Sequence, residues 1–140
     1  MTSTLFILND APYGNERANN ALRLAAAVAG KEGQIVRLFL IADAVACAKS
    51  GQKVPEGYYN VQLMLGKVLR KGEVGLCGTC MDARGMRDDE VIEGAPPSRW
   101  ASLPTGPSKP RRCWCSDPLW PGAGSGYRFL FQTTNDLRQR

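Results

Sequence analysis

Three short apolar runs, separated by segments with helical spacing, limit what this chain can fold into. Thr4–Leu8 (TLFIL), Gln34–Ile41 (QIVRLFLI) and Glu73–Leu76 (EVGL) each read as a strand. The first reads as buried on both faces, because its apolar residues are continuous rather than alternating. Between the strands, Asn15–Ala29 reads as a helix. Asn15 stands at its N-cap, Ala18, Ala21, Leu22, Ala25 and Val28 form its inner face, and Gly30 follows it. Ala42–Ser50 reads as a second helix, and Tyr58–Arg70 as a third with Val61, Leu65, Val68 and Leu69 inward. A further helix is expected to start within Asp88–Glu93. Strands alternating with helices predict an α/β fold: a parallel sheet of about four to five strands, with helices on both faces in three layers.

Ligands of such sheets sit beyond the carboxyl ends of the strands. Three segments meet there. Asn9, Asp10, Tyr13 and Gly14 follow the first strand, Asp43 and Cys47 the second, and Cys77 and Cys80 the third. The last stretch, Val74–Gly85, reads VGLCGTCMDARG: an apolar strand, a tight turn and a short helix opening near Cys80. A thiol placed there meets backbone N–H groups and the positive end of a helix dipole, which favour the thiolate. A lone CxxC also fits two half-buried structural thiols. Asp10 and Asp43 fit turn or helix capping as well as ligand binding, and Cys47 fits packing in an alanine-rich helix. Arg17 and Arg84 can pair with these carboxylates or with an anion. Tyr58, Tyr59 and Met64 suit packing or a subunit contact.

Composition narrows the chemistry. The chain has 140 residues and no histidine, which excludes His-based triads, His general bases and His metal ligands. The N-terminal MTSTLFILND lacks a basic segment and has too short an apolar run for a signal peptide, and no run suits a membrane helix. A cytoplasmic protein with free thiols is expected. The formal charge of +5 lies after Gly94, so the first 94 residues are close to neutral. No nucleic-acid-binding motif accompanies the charge, and neither nucleic acid nor membrane is expected as a partner. No cofactor is expected. Pairing Cys77 and Cys80 with Cys113 and Cys115 would give four thiolates for zinc, but the C-x-C half has unusual spacing, and no metal is expected.

After Gly94 the character changes. Seven prolines fall between Pro96 and Pro121, glycines crowd Gly122–Gly126, and helical periodicity is lost. This divides the chain into an α/β domain at 1–95 and a Pro/Gly-rich basic tail at 96–140. Trp100, Trp114, Trp120, Phe129 and Phe131 are out of keeping with a disordered tail.

The N-D-x-P-Y-G loop at Asn9–Gly14, ADAVACAK from Ala42, GYYN from Gly57 and CGTCMDARG from Cys77 resemble the DsrE-like family of small sulfur-relay proteins over about residues 4–94. The resemblance implies a compact parallel α/β fold assembled as a homotrimer or homohexamer. In its best understood members, one cysteine after a central strand carries sulfane sulfur as a persulfide between partners. Cys77 matches that position, and Cys80 is its neighbour in this subgroup's box. Relatives with this box continue with a helix resembling ELADW and finish on a strand resembling VLVF. Read one base out of frame with suitable third bases, Arg99–Asp117 becomes MGELADWTVEAAQVLVF followed by a stop. The expectation is that residues from about 96 onward are a frameshifted reading.

The resulting expectation is a sulfur-relay protein, a possible sulfurtransferase, with Cys77 and Cys80 as catalytic thiols. Asn9, Asp10, Tyr13, Asp43, Cys47 and Arg84 would bind substrate, and sulfur donors and acceptors, proteins or small thiols, would be its partners. A CxxC thiol–disulfide switch and a non-enzymatic oligomeric module that binds a small anion or a partner protein are the alternatives.

Overall fold

A computed structural model describes residues 2–98 and the backbone of 112–115. Strand β1 (Thr2–Leu8) leads to helix α1 (Arg17–Ala29), β2 (Gln34–Leu40) and a 3-10 helix at Ala42–Ala48. Helix α2 (Val61–Leu69), β3 (Glu73–Cys77), the one-turn α3 (Gly78–Asp82) and a 3-10 turn at Asp88–Glu90 follow. Two short strands, β4 (Pro97–Ser98) and β5 (Arg112–Cys115), flank the rest. The sheet is parallel throughout, in the order β4-β3-β2-β1-β5, and its three longer strands β1 to β3 carry most of the pairing.

The apolar runs form the sheet because their alternate residues line a core. Phe6 and Leu8 of β1, Val36, Leu38 and Leu40 of β2, and Val74 and Leu76 of β3 are buried. Helix α1 packs Ala18, Ala21, Leu22 and Ala25 onto this surface, and α2 adds Val61, Leu65 and Val68. The two helices also pack against each other, so they share one face of the sheet. Leu5 and Ile7, on the opposite side of β1, are only half-buried, so β1 is not covered equally on both faces. Among the described residues no helix of eight or more covers that side.

Three expected helix boundaries move. Helix α1 begins at Arg17, although Asn15 still receives the Arg17 N–H at 2.9 Å. Helix α2 begins at Val61, because Asn60 caps it: its Oδ1 accepts the Leu63 N–H at 3.1 Å. The helix expected over Ala42–Ser50 is a 3-10 helix that ends at Ala48. Three residues per turn align Ala44 with Cys47 and Val45 with Ala48, and all four are fully buried. The helix expected from Asp88 is a single turn, held where Ile92 N–H meets the Ala48 carbonyl.

Gly72 marks the tightest approach in the turn from α2 to β3. A Cβ there would lie 2.8 Å from the Val36 carbonyl oxygen, which belongs to a central strand. We therefore expect Gly72→Ala to destabilise the protein by about 1–3 kcal/mol, measured as a lower urea midpoint with an unchanged slope. An unchanged midpoint would contradict this packing.

The backbone of residues 112–115 joins the sheet beside β1, with Cys113 opposite Leu5 and Cys115 opposite Ile7. The fold thus takes in backbone from beyond the boundary expected at 95. These four positions are also those at which the out-of-frame reading spells VLVF. They lie three strands from β3, about 14 Å across the sheet, so their backbone cannot bring Cys113 and Cys115 to a shared zinc site with Cys77 and Cys80. Residues 99–111 and 116–140, with Trp100, Trp120, Phe129 and Phe131, lie outside the described residues.

Candidate functional site

The register aligns the strand ends. Leu8 pairs with Leu40, and Leu40 with Leu76, so Asn9, Ile41 and Cys77 are the next residues along one carboxyl edge. Asn9 and Asp10, Ala42 and Asp43, and the CxxC pair therefore emerge side by side, as the sequence pattern implies.

Cys77 ends β3 and is also the N-cap residue of α3. It is 9% exposed, whereas Cys80, three residues on, is half-exposed. N-cap and N3 side chains face each other across the first turn of a helix, which brings the two thiols together. Burial, and after it the neighbouring Cys80 thiol, push the Cys77 thiol up from its ordinary value. The Cys80 and Thr79 N–H groups act in the opposite direction, although neither makes a capping hydrogen bond to the Cys77 side chain. The expected thiolate preference at Cys77 is thus overturned: α3 is one turn long, and its dipole does not offset the loss of solvent.

Cys80 sits differently. Its Sγ accepts the Ala42 N–H at 3.2 Å. Ala42 holds a φ of 49°, in the left-handed region that an alanine enters at a cost of about 1–2 kcal/mol. Arg84 fastens this arrangement. Its Nε and Nη2 donate to Asp43 Oδ1 at 3.0 and 2.8 Å, and its Nη1 donates to the Cys80 carbonyl at 3.0 Å. The strand-end loop after β2 is thereby clamped to α3.

The other expected ligand residues have structural duties. Asp10 Oδ1 accepts from Arg17 Nη1 at 3.2 Å, while its buried Oδ2 has no hydrogen-bond partner among the described residues. Tyr13 Oη donates to Gln52 Oε1 at 2.6 Å and accepts the Val61 N–H at 3.2 Å, while its ring stacks on Tyr59. It thus ties the loop after β1 to the start of α2. Cys47 faces the core. It is fully buried and its Sγ donates to the Asp10 carbonyl across 4.0 Å, so it packs beneath the edge rather than opening onto it. Desolvation, offset in part by a backbone hydrogen bond, raises it to about 12. Among the described residues no cluster of three or more His, Cys, Asp or Glu can hold a metal ion. No helix among them is long and apolar enough to cross a membrane.

Ala42 was not expected to take part. It has no polar side chain, and its contribution is a backbone N–H whose direction depends on an unusual φ. Residue type carries no signal for that.

A paired-thiol site at the carboxyl edge of a parallel α/β sheet defines a small thiol protein. The family model for the DsrE/DsrF-like family matches residues 2–105, and the chain belongs to that family. Membership suggests a role of the sulfur-relay type. The YchN protein of Escherichia coli K12 is 43% identical over 96 residues, covering 67% of this chain and 81% of that protein. An uncharacterized protein of Methanopyrus kandleri is 43% identical over 89 residues, covering 63% of this chain and 72% of its own length. The crystal structure of the E. coli YchN protein superposes with a TM-score of 0.69 at 40% identity, covering 74% of this chain and 89% of that one. A protein of unknown function from Methanobacterium thermoautotrophicum shares the fold, with a TM-score of 0.56 at 13% identity over 70% of this chain and 82% of that one.

Proposed function

We propose that this protein carries sulfane sulfur as a persulfide on Cys77. The supporting observation is a strand-end thiol, largely shielded from solvent, with a second thiol one turn away. Shielding keeps a bound persulfide from stray thiols, and the neighbour gives sulfur a way in and out. Donor and acceptor are proteins or small thiols that reach the carboxyl edge of the sheet in the cytoplasm. Exposed Tyr58 and Leu63, beside the start of α2, supply apolar surface for a homotrimer or homohexamer. In this reading residues from about 96 onward are out of frame, which sequencing of the gene tests directly.

Loading with a sulfane-sulfur donor, read by intact mass, tests the carrier reading. Wild type should gain about 32 Da per sulfur and lose it to reductant, and Cys77→Ser should retain none after a brief thiol wash. Equal retention by the variant would contradict the assignment. The contact between the two thiols also favours a second reading, a CxxC redox switch. That reading predicts a loss of about 2 Da on mild oxidation, without any sulfur gain.

A further inference from the structure

Resting on the carrier reading, we propose that Cys80 is the thiol that receives sulfur from the donor, and that Cys77 is the protected seat to which Cys80 passes it. The observations divide the labour between the thiols. Cys80 is the more exposed of the two, and its sulfur accepts the Ala42 N–H at 3.2 Å. That N–H fixes the sulfur at the open edge of the site, where a donor persulfide can reach it. The chain holds that N–H in place with a left-handed alanine and an Arg84 clamp that reaches both Asp43 and the Cys80 carbonyl. Cys77, at 9% exposure, is poorly placed to meet a bulky donor.

The chemistry closes without an outside oxidant or reductant. The Cys80 thiolate attacks the outer sulfur of a donor persulfide, R–S–SH. A new S–S bond forms, the donor's S–S bond breaks, and R–S⁻ leaves with the electron pair and takes a proton from solvent. Cys77 then gives its proton back to solvent and attacks the outer sulfur of the Cys80 persulfide. The Cys77–sulfur bond forms, and Cys80 leaves as the thiolate. The net change is R–SSH plus the Cys77 thiol giving R–SH plus the Cys77 persulfide, with Cys80 regenerated. Delivery to an acceptor thiol runs the same two exchanges in reverse.

Two experiments test this order, with glutathione persulfide as the donor. In the first, wild type is treated briefly with iodoacetamide near neutral pH and mapped by peptide. Cys80 should be alkylated about tenfold or more faster than Cys77, and the opposite order would overturn the proposal. In the second, initial loading rates are compared. Cys80→Ser should load Cys77 about tenfold or more slowly, whereas the sulfur that Cys77→Ser takes up should sit on Cys80 and be lost to added thiol. If Cys80→Ser loads at the wild-type rate, the order is wrong and the carrier reading stands. If wild type takes up no sulfur, both fall.

Discussion

Leu40→Ala should cost about 2–5 kcal/mol, a large part of the roughly 5–15 kcal/mol that holds a domain of this size together. Leu40 is the last residue of β2 and lies in register between Leu8 and Leu76. All three side chains are fully buried. Truncation removes three carbons from the middle of that row, and the strands on either side are fixed by their backbone ladders. The cavity therefore closes only in part. Ile41 and Ala42 follow directly, so the loop that supplies the N–H to Cys80 loses its footing as well. Urea denaturation should show the loss as a lower midpoint. Arg23→Ala serves as the control: Arg23 is exposed on α1, and its truncation should change stability by less than about 0.5 kcal/mol. A loss below about 1 kcal/mol for Leu40→Ala would mean that the row beneath the site is not close-packed.

The second large effect is a loss of stability in alkali that depends on Cys47. Burial raises this thiol to about 12 from its ordinary 9.0. In the unfolded chain it deprotonates near its ordinary value, while the folded protein keeps its proton. Between these two points the folded state binds more protons, so stability falls as pH rises. The contribution is fully present below the unfolded value and is lost progressively as pH climbs towards the folded one. The slope is about 1.4 kcal/mol per pH unit at its steepest. Denaturation curves at several pH values from 8 upward should show this slope in wild type and a shallower one in Cys47→Ala. Parallel slopes would place Cys47 in contact with solvent, against the geometry at the Asp10 carbonyl.

How much of this was legible in the sequence follows from what each feature depends on. The strands were legible because burial selects continuous apolar runs, and the meeting of Asp10, Asp43 and Cys77 at one edge follows from a parallel sheet. The CxxC pair was visible as residue types. Its electrostatics were not. Whether a strand-end thiol is solvated depends on how deeply β3 is set, and Cys77 is set deeply enough for burial to outweigh its neighbouring N–H groups. Cys47 was ambiguous for a related reason: an alanine-rich segment fits either helix type, and only the 3-10 alignment with Ala44 turns it into the core. Tyr13 belongs to a motif that suggests a ligand, yet its hydroxyl is occupied by Gln52 and the Val61 N–H. The place of residues 112–115 beside β1 had no signal in their written composition, because arginine, tryptophan and two cysteines do not read as an edge strand.

The central claim is that Cys77 is where sulfur rests. Its most direct test is a peptide map of wild type after loading with a sulfane-sulfur donor, with free thiols and persulfides capped before digestion. One additional sulfur, about 32 Da, is expected on the peptide that contains Cys77, removable by reductant and persisting after excess donor is washed away. Unmodified Cys77 in protein exposed to the donor, with sulfur found only on other cysteines or on none, would contradict it.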